Sequence, residues 1–476
     1  MPVVLGGGIG GLSAAYYLSR KHINPVRLFE KSNRFGGWIK SENHKDKGFL
    51  FECGPRTLRT TGPAAANSLQ LIQDLQLNEA VVPIFAGHPA SKNRMIFANG
   101  QLNLLPSTLG GFLKRLPPFS KPLMSAVFTD MFKGRNTHKL DDESIFDFTE
   151  RRFGKEVAQY LISPMICGIC AGDAKKISVK FLMREFFEAE QKHGGVFKGL
   201  VLNGIFGKKK TVDSFLDETV ELQKKAKENQ WNMILMKNGM ESIPKRLVTY
   251  LGNHSVTMDL NSECRKITFY NDKSMSMYMT GKEKEIQSDH LISSLPSYKL
   301  ANCVEEQHPS LAYQLRSIEY VDVAVVNLQY STLDLLDFDA FGFLVPPSEK
   351  LPILGVIFDS CCSDMSGNTV LTVMMGGEWF QDYFGAKPEP NYLLNVAKSH
   401  VKDILKISLE PKNVKLSILK KCIPQYTLGH YERVEGIRKY IDQYKLPLTL
   451  VGSAYDGVGV NDVIYSAKKQ VNKITG

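Results

Sequence analysis

Met1-Pro-Val-Val-Leu-Gly-Gly-Gly-Ile-Gly-Gly11 opens the chain, and this stretch decides the fold. Residues 3–5 form a short apolar run typical of a buried parallel strand, and residues 12–20 have the apolar spacing of a helix. Between them, Gly6, Gly8 and Gly11 have the spacing G-x-G-x-x-G. Such glycines allow a tight turn, the approach of a pyrophosphate and close helix packing, and the helix N-terminus favours phosphate. The motif alone is also compatible with a glycine-rich turn that has a purely steric role.

The second predicted strand favours the nucleotide interpretation. Residues 25–30 form an apolar run that ends in Glu30, which lies 19 residues beyond Gly11. An acid at this place in a βαβ unit hydrogen-bonds the ribose hydroxyls of an adenine dinucleotide and repels a 2′-phosphate, so NADP is disfavoured. The alternative is a solvated glutamate at a strand end. The length of the βαβ unit and the glycine spacing together favour the nucleotide.

Further glycine-rich turns indicate a cofactor longer than NAD. Arg34-Phe-Gly-Gly-Trp38 follows the ribose acid, and Phe51-Glu-Cys-Gly-Pro-Arg56 is another such turn. Near the C-terminus, an apolar strand at residues 448–451 leads into Tyr455-Asp-Gly-Val-Gly-Val460 and a final helix that Asn461 or Asp462 could cap. Several close backbone approaches suit FAD, and the final helix N-terminus could face the flavin N1–C2=O edge. An ordinary docking helix is the alternative.

Composition restricts the class of protein. The 476 residues are 43% hydrophobic and 23% charged, which predicts a globular chain of two or three domains. The net charge of +10 favours an acidic partner such as anionic lipid, but no nucleic-acid-binding pattern is present. The eight cysteines lack framework spacing, so reduced thiols are expected, and Cys167-Gly-Ile-Cys170 is expected to be a coincidence. No apolar run predicts a transmembrane helix, and no removable signal peptide is expected because cleavage would destroy the glycine motif.

Residues 88–135 differ in character from the rest. Apolar side chains between residues 102 and 132 alternate with basic residues, and four prolines divide the segment into short pieces. Such a segment suits an element lying in a membrane interface. The alternative is a helical subdomain that buries these groups against residues 145–205, and both interpretations remain open.

The remaining chain predicts further elements. Residues 144–206 are expected to be helical with Ser144 and Ser178 as N-caps. Residues 240–251 and 392–405 are expected to be helices. Strands are expected at 256–258, 267–270, 274–280 and 290–295 in an antiparallel run, with 291–296 returning to the parallel sheet, and a second strand-rich block is expected at 321–329, 341–345, 353–358 and 370–375.

The chain resembles the flavin amine-oxidase superfamily through residues 6–11, Glu30, residues 34–38 and the C-terminal strand–turn–helix. Within it, the chain is similar to the protoporphyrinogen oxidases of animals, through Gly54-Pro-Arg56, His88-Pro-Ala-Ser-Lys-Asn-Arg94, Pro118-Phe-Ser-Lys-Pro122, Cys422-Ile-Pro-Gln-Tyr-Thr-Leu-Gly-His430 and Tyr455-Asp-Gly-Val-Gly-Val-Asn-Asp462. The resemblance covers nearly the whole chain. It implies an enzyme that binds FAD non-covalently and converts protoporphyrinogen IX to protoporphyrin IX with oxygen in three flavin cycles, each yielding hydrogen peroxide, as the penultimate step of heme biosynthesis.

The resemblance also implies site residues. The FAD contacts would be Gly6, Gly7, Gly8, Ile9, Gly10, Gly11, Glu30, Lys31, Trp38, Gly54, Pro55, Arg56, Thr57, Cys264, Tyr431, Val458, Gly459 and Val460. The substrate contacts would be Arg94, which would face a propionate, and Gly168, Phe341, Gly342, Leu344 and Met374. Cys264, Tyr431 and Cys167 differ from the residues usual in the family, which are valine, tryptophan and arginine. No general base and no metal site are expected.

The implied architecture is α/β, an α+β multi-domain chain with three domains. A Rossmann-like FAD-binding domain would be assembled from residues 1–87, 228–296 and 446–476, a mixed-sheet substrate domain would span 297–445, and a helical membrane-binding domain would span 88–210. The family implies a peripheral protein of the mitochondrial inner membrane on its intermembrane-space side, a homodimer, and handover of product to ferrochelatase. A flavin-dependent amine or polyamine oxidase and a non-catalytic flavin-binding scaffold are the competing functions.

Overall fold

The computed structural model describes residues 1–475 except 24, 135–140, 207–219, 283–284 and 334. The strands in this part of the chain are β1 (Pro2–Leu5), β2 (Val26–Phe29), β3 (Ser41–His44), β4 (Phe49–Glu52), β5 (Leu58–Arg59), β6 (Val81–Phe85), β7 (Met95–Ala98), β8 (Gln101–Leu104), β9 (Trp231–Met236), β10 (Val256–Asp259), β11 (Cys264–Phe269), β12 (Met275–Met279), β13 (Ile286–Ser288), β14 (His290–Ser293), β15 (Tyr320–Tyr330), β16 (Gly342–Leu344), β17 (Ile353–Phe358), β18 (Thr369–Gly377), β19 (Asn413–Pro424) and β20 (Leu448–Leu450).

Helices lie between and around these strands. They are α1 (Ile9–Arg20), α2 (Pro63–Asp74), α3 (Pro89–Lys92), α4 (Leu109–Phe112), α5 (Met124–Phe132), α6 (Ile145–Phe153), α7 (Lys155–Val157), α8 (Ser163–Cys170), α9 (Val179–Leu182), α10 (Arg184–His193), α11 (Val196–Phe206), α12 (Glu221–Glu228), α13 (Ser242–Gly252), α14 (Ser297–Val304), α15 (Pro309–Arg316), α16 (Phe380–Phe384), α17 (Pro390–Leu405), α18 (His430–Gln443), α19 (Ser453–Asp456) and α20 (Val460–Thr475).

A five-stranded sheet in the order β10-β2-β1-β14-β20 carries the N-terminal motif, and every pair in it is parallel. Val4 contributes to a core that includes α1, α2, α13 and α20, whereas Val3 and Leu5 contribute to a second core that includes β11, α14 and α18. Both faces of β1 are therefore buried, as its continuous apolar sequence predicts. The strands predicted at residues 3–5, 25–30, 291–296 and 448–451 are confirmed.

One strand prediction is wrong. The segment at residues 256–258, expected in an antiparallel run, is the edge strand β10 and pairs in parallel with β2. The reason is that α13, which precedes it, packs in the core beneath the parallel sheet, so the chain leaves α13 at the open edge of β2. The antiparallel prediction is confirmed for the segments at residues 267–270 and 274–280, which correspond to β11 and β12. Strand β13, which was not predicted, completes their sheet, whereas β14 at residues 290–293 pairs in parallel with β1 and β20.

The second large sheet has seven strands in the order β19-β15-β18-β17-β16-β7-β8. Its pairs are antiparallel except for β16 and β7, and α17 contributes to the core on one of its faces. Strands β7 and β8 belong to this sheet, although the predicted domain boundaries assigned residues 88–210 to a helical domain. The predicted substrate sheet is thus completed by a hairpin from an earlier part of the chain.

Helices α4 to α11 form the helical part of the molecule. Ser144 and Ser178 cap α6 and α9, since their hydroxyls accept the N–H groups of Asp147 and Phe181. Helix α5 is tied down by Asp130, which is fully buried and lies 2.6 Å from the Arg152 guanidinium of α6. None of the helices in the described residues has the length and hydropathy needed to cross a bilayer.

Residues 88–135 are buried in part and exposed in part, and the membrane interpretation stays a prediction. Phe119 and Leu123 are buried, and the Phe119 ring packs edge-on against Tyr160 at 6.3 Å. By contrast, Phe128, Met131 and Phe132, here called the α5 apolar face, are exposed, Phe132 by 85%. Leu109 and Leu113 around α4 are exposed as well. The basic residues predicted at Arg135 and 208–210 lie outside the described residues.

Candidate active site

Residues 6–11, here called the glycine loop, turn from β1 into α1. Gly6 has φ +98°, and a Cβ on Gly11 would overlap the Gly6 carbonyl oxygen, so glycine is required at both positions. Helix α1 has no capping side chain and no acid in its first turn. Its first N–H groups are therefore available to a phosphate, the ligand that such a terminus favours.

Glu30 lies beside this loop at the end of β2. Its carboxylate accepts the Gly7 N–H at 2.7 Å, the Ser32 N–H at 2.9 Å and the Ser32 hydroxyl at 2.7 Å. These bonds fix the carboxylate where the ribose of a dinucleotide is expected. Lys31, the next predicted contact, is exposed.

The second glycine pair forms another wall of the site. The Gly36 N–H donates to the Gly7 carbonyl at 2.8 Å, and a Cβ on Gly37 would lie 3.0 Å from the Gly8 Cα. Trp38 follows with 42% of its surface exposed, and a Cβ on Gly54 would overlap the Trp38 carbonyl oxygen. The exposed indole offers a flat apolar surface next to the glycine loop, which suits a planar cofactor.

The C-terminal turn reaches the same place from the other end of the chain. A Cβ on Gly10 would lie 3.2 Å from the Val463 side chain and 3.8 Å from the Gly452 Cα. Helix α20 begins at Val460, so Val458, Gly459 and Val460 lead directly into its first turn. The expectation that Asn461 or Asp462 caps this helix is wrong, because both lie within it, and the Asn461 side chain instead donates to the Arg59 carbonyl at 3.0 Å.

Arg56 follows Pro55 in the turn after β4. It forms an ion pair with Asp359 that the sequence did not predict. Its Nη1 donates to Asp359 Oδ1 at 2.5 Å, and both side chains are almost fully buried. Asp359 directly follows the apolar strand β17, so an acid at a strand end was the signal that could have pointed to it. Thr57 continues the turn into β5.

Cys264 and Tyr431, both predicted to contact the cofactor, lie in different parts of the molecule. Cys264 begins β11 close to Glu30, whose carbonyl accepts the Ser262 N–H at 2.9 Å. Tyr431 instead lies under the cations of Lys180 and Arg184, at 5.2 and 5.3 Å from its ring centre. The described contacts thus connect Cys264 with the ribose end of the site and Tyr431 with the helical part.

The predicted substrate residues meet at one end of the seven-stranded sheet. Arg94 precedes β7 and Phe341 precedes β16, and these two strands pair in parallel. The Arg94 guanidinium consequently lies over the Phe341 ring, 4.7 Å from its centre. Burial lowers the pKa of Arg94, and no carboxylate among the described residues forms an ion pair with it. A half-buried cation without an anion suits a ligand that carries a carboxylate.

The strand register brings the predicted apolar substrate residues close together. Leu344 lies opposite Gly355, and Gly355 lies opposite Met374. Leu344 also contacts α8, where a Cβ on Gly168 would lie 3.1 Å from its side chain. A Cβ on Gly342 would overlap the Val356 carbonyl oxygen. The structure therefore brings all six predicted substrate residues to one region.

The thiols of the C-x-x-C segment lie in the packed core, where Cys167 belongs to the cluster against which Met374 packs. Cys167 and Cys170 are buried, and burial raises the pKa of the Cys170 thiol to about 12. Cysteines with such values are poor nucleophiles and poor metal ligands. In the described residues no group of His, Cys, Asp or Glu side chains is arranged to hold a metal ion.

Comparison with known proteins adds the family. The model of the family described as flavin containing amine oxidoreductase matches residues 9–475. The chain belongs to this flavin-containing amine oxidoreductase family. The protoporphyrinogen oxidase of Bos taurus is 35% identical over 481 residues, which are 100% of this chain and 98% of the bovine protein. That of Schizosaccharomyces pombe is 30% identical over 99% of this chain and 98% of the yeast protein. Within the family, the chain groups with these oxidases, as its motifs predict.

A solved structure shows the same fold. A protein of Exiguobacterium sp. 255-15, described as a candidate protoporphyrinogen oxidase, matches with a TM-score of 0.79 and 22% identity over 100% of this chain and 98% of its own. This likeness confirms the α/β architecture.

The cofactor of this family member is FAD, and the geometry of the site fits it. The uncapped N-terminus of α1 and the close backbone approach of Gly8 and Gly37 suit a pyrophosphate. The Glu30 carboxylate suits an adenosine ribose. When bound, FAD supplies two-electron oxidation. Both ends of the chain would contact it.

A histidine behind Tyr431 predicts how stability depends on pH. His430 is fully buried between the rings of Phe181 and Tyr426, and its Nε2 lies 3.0 Å from the Ala454 carbonyl. Burial lowers its pKa to about 3. An unfolded histidine has a pKa of about 6.5, so below that pH the unfolded state binds the additional proton and stability falls towards pH 3. This group should reduce the free energy of unfolding by about 2 kcal/mol between pH 7 and pH 5.

Urea unfolding of the apoprotein at these two pH values measures the loss. His430→Phe keeps a ring in the cluster and removes the titration, so its pH-dependent loss should be about 2 kcal/mol smaller than that of the wild type. His254→Phe, at an exposed position, serves as the control and should follow the wild type. An equal pH-dependent loss in His430→Phe and the wild type would contradict the assignment.

Proposed function

We propose that this flavoenzyme oxidises protoporphyrinogen IX to protoporphyrin IX with molecular oxygen as acceptor. The observation that carries the proposal is the half-buried Arg94 above Phe341, which has no ion-pair partner among the described residues and lies next to the strand that carries Leu344. Protoporphyrinogen is a large apolar macrocycle with two propionates, so one cation beside an apolar wall matches its chemistry. Removal of six electrons by a two-electron cofactor takes three turnovers, which consume three O2 and form three H2O2.

The protein residues bind and orient the substrate in this proposal. Arg94 pairs with a propionate through charge-assisted hydrogen bonds, and the Phe341 ring keeps the guanidinium from turning away. Leu344 and Met374 contact the macrocycle, and Gly168 leaves room beside Leu344 because it has no side chain. These residues would place a bridging carbon of the macrocycle next to the cofactor. Their contribution to catalysis is then the orientation of the substrate and not proton transfer by an acid or a base.

Anaerobic mixing of the FAD-loaded enzyme with protoporphyrinogen IX tests the proposal. We expect the visible absorbance of oxidised flavin to bleach and porphyrin fluorescence to develop when oxygen is admitted. An amine or polyamine oxidase would leave the flavin oxidised with this substrate and bleach with an amine. A non-catalytic flavin-binding scaffold would bleach with neither, so either result would overturn the proposal.

We also propose that the α5 apolar face and the leucines around α4 rest on a membrane surface that contains anionic lipid. Phe132 is 85% exposed and Leu109 is 78% exposed, more than a soluble surface requires. Lys114, Arg115, Lys121 and Lys133 are exposed in the same segment and suit anionic headgroups. On the buried side of α5, the ion pair between Asp130 and Arg152 fixes this helix to α6. A poorly soluble macrocycle could then pass from the lipid surface to the enzyme.

Charging the α5 apolar face should weaken membrane binding. Placing Phe128→Glu and Phe132→Glu in one variant removes two apolar contacts and adds repulsion from anionic lipid, so we expect sedimentation with cardiolipin-containing vesicles to fall at least tenfold. Leu409→Glu, at an apolar side chain of similar exposure far along the chain, is the control and should sediment like the wild type. Unaltered sedimentation of the α5 variant would contradict the proposal.

The family resemblance extends this proposal to the cell. A peripheral position on the mitochondrial inner membrane, on its intermembrane-space side, would place the enzyme at a cardiolipin-rich surface. Handover of protoporphyrin to ferrochelatase and a homodimeric state are the corresponding partner proposals. Fractionation of mitochondria with protease protection tests the location, and light scattering of the detergent-solubilised protein tests the dimer.

A further inference from the structure

A buried polar chain connects the predicted FAD-binding and substrate domains. It begins at Asn327 of β15, whose Nδ2 donates to the Glu52 carbonyl at 3.1 Å and to Thr372 Oγ1 at 2.7 Å. Thr372 of β18 donates to Asp359 Oδ2 at 2.6 Å. Asp359 Oδ1 accepts from Arg56 at 2.5 Å. Every side chain in this series is buried, so the bonds act in a low-dielectric interior where they are strong.

Arg56 is the member of this chain that belongs to the cofactor site. It follows Gly54, which packs on the Trp38 carbonyl, and Trp38 in turn follows the glycine pair that contacts the glycine loop. Within the described residues, Asp359 is the one carboxylate that forms an ion pair with Arg56. The remaining guanidinium N–H groups are therefore available to a ligand, because a guanidinium has five donors.

Asp359 is also linked to the substrate residues. It follows Phe358, whose N–H donates to the Phe341 carbonyl at 3.0 Å, and Phe341 is the ring under Arg94. Its second partner, Thr372, lies two positions before Met374 on β18. The end of β17 thus supports both sites. Asp359 binds Arg56, and the neighbouring Phe358 binds the backbone of Phe341, whose ring lies under Arg94.

We propose that Asp359 is a positioning residue that holds Arg56 against the bound flavin from the substrate-domain side. Its carboxylate fixes the direction of the guanidinium and compensates its charge, while Thr372 fixes the carboxylate. Because the Asp359 carboxylate compensates the charge of Arg56, the positive electrostatic potential of Arg56 at the flavin is smaller than that of an unpaired cation. This inference concerns the cofactor and is independent of which substrate the enzyme oxidises.

The charge of Asp359 determines the direction of the expected effects. Asp359→Asn keeps the shape of the side chain and removes the negative charge, so Arg56 loses its fixed orientation and its compensation. We expect the dissociation constant for FAD to rise at least tenfold. An uncompensated cation favours the anionic reduced flavin, so we also expect the midpoint potential of the bound flavin to rise.

A second variant separates orientation from charge. Thr372→Val removes the hydrogen bond to Asp359 and the one from Asn327, and leaves the ion pair between Asp359 and Arg56 in place. We expect a several-fold rise in the FAD dissociation constant with an unchanged midpoint potential. Asp322→Asn, which breaks an ion pair with Lys420 in the same domain, is the control and should change neither quantity.

The experiment titrates full-length apoprotein with FAD by fluorescence quenching and then measures the midpoint potential by dye-coupled reduction, both without substrate. A tenfold weaker affinity together with a raised potential in Asp359→Asn supports the proposal. An affinity within twofold of the wild type overturns it, and so does a weaker affinity without a raised potential, since that would indicate a purely structural role. If Asp359→Asn does not fold, an unchanged FAD affinity in Thr372→Val overturns the proposal.

Discussion

Replacing Gly11 with alanine is expected to abolish FAD binding. The added Cβ would overlap the Gly6 carbonyl oxygen and lie 2.8 Å from Ser294 Oγ, so either α1 moves away from β1 or the glycine loop opens. Both changes displace the N–H groups that favour the pyrophosphate. We expect the affinity for FAD to fall at least 100-fold, and the purified variant to lack the visible absorbance of flavin.

Gly110→Ala is the matched control for this substitution. Gly110 also lies within a helix, and a Cβ there would have no atom within 4 Å. This control should retain FAD like the wild type. If Gly11→Ala retained flavin to the same degree, the close packing of Gly11 on Gly6 would not be required for cofactor binding.

Replacing Arg94 with alanine is expected to impair substrate binding and leave the flavin unaffected. A charge-assisted pair with a buried or half-buried partner contributes about 1.5–3 kcal/mol, which corresponds to a KM about 10- to 100-fold higher for protoporphyrinogen IX. Since Arg94 is held by Phe341 and not by the glycine loop, the flavin spectrum should stay as in the wild type. Steady-state porphyrin fluorescence and an absorbance scan measure the two quantities.

Lys92→Ala is the control for Arg94. Lys92 is an exposed cation two residues earlier in the chain, so its loss changes the net charge equally without removing the half-buried guanidinium. Its KM should remain within about twofold of the wild type. An unchanged KM in Arg94→Ala would remove Arg94 from the substrate site.

The predictions from sequence were strongest where a motif dictates backbone geometry. The predicted strand–turn–helix at the glycine loop and the strand that ends at Glu30 are confirmed, because turn sterics and strand length leave few arrangements of these residues. The prediction for β10 was wrong because apolar alternation within a strand does not reveal which sheet it joins or in which direction it runs there. Likewise, the helix start at Val460 was misjudged, since Asn461 uses its side chain for the Arg59 carbonyl instead of a cap.

Pairings between distant segments could not be read from the sequence. Arg56 and Asp359 are 303 positions apart, and although the strand end marks Asp359 as a candidate residue, the sequence does not indicate that its partner is Arg56. The segment at residues 88–135 presents the same problem, because buried Phe119 and exposed Phe132 have the same chemistry and differ only in which neighbours pack on them. Local sequence specifies the turns and strands of the site, whereas its interdomain support depends on tertiary contacts.

The meeting of both chain ends at the glycine loop has a consequence for biosynthesis. Pro2 pairs with His290, and Leu291 pairs with Leu448, so the sheet that carries β1 is complete only when a strand more than 440 residues later has been synthesised. Contacts at such separation form late in folding. A nascent chain that has not yet released residues 448–460 therefore lacks the strand and the helix start that close the cofactor site.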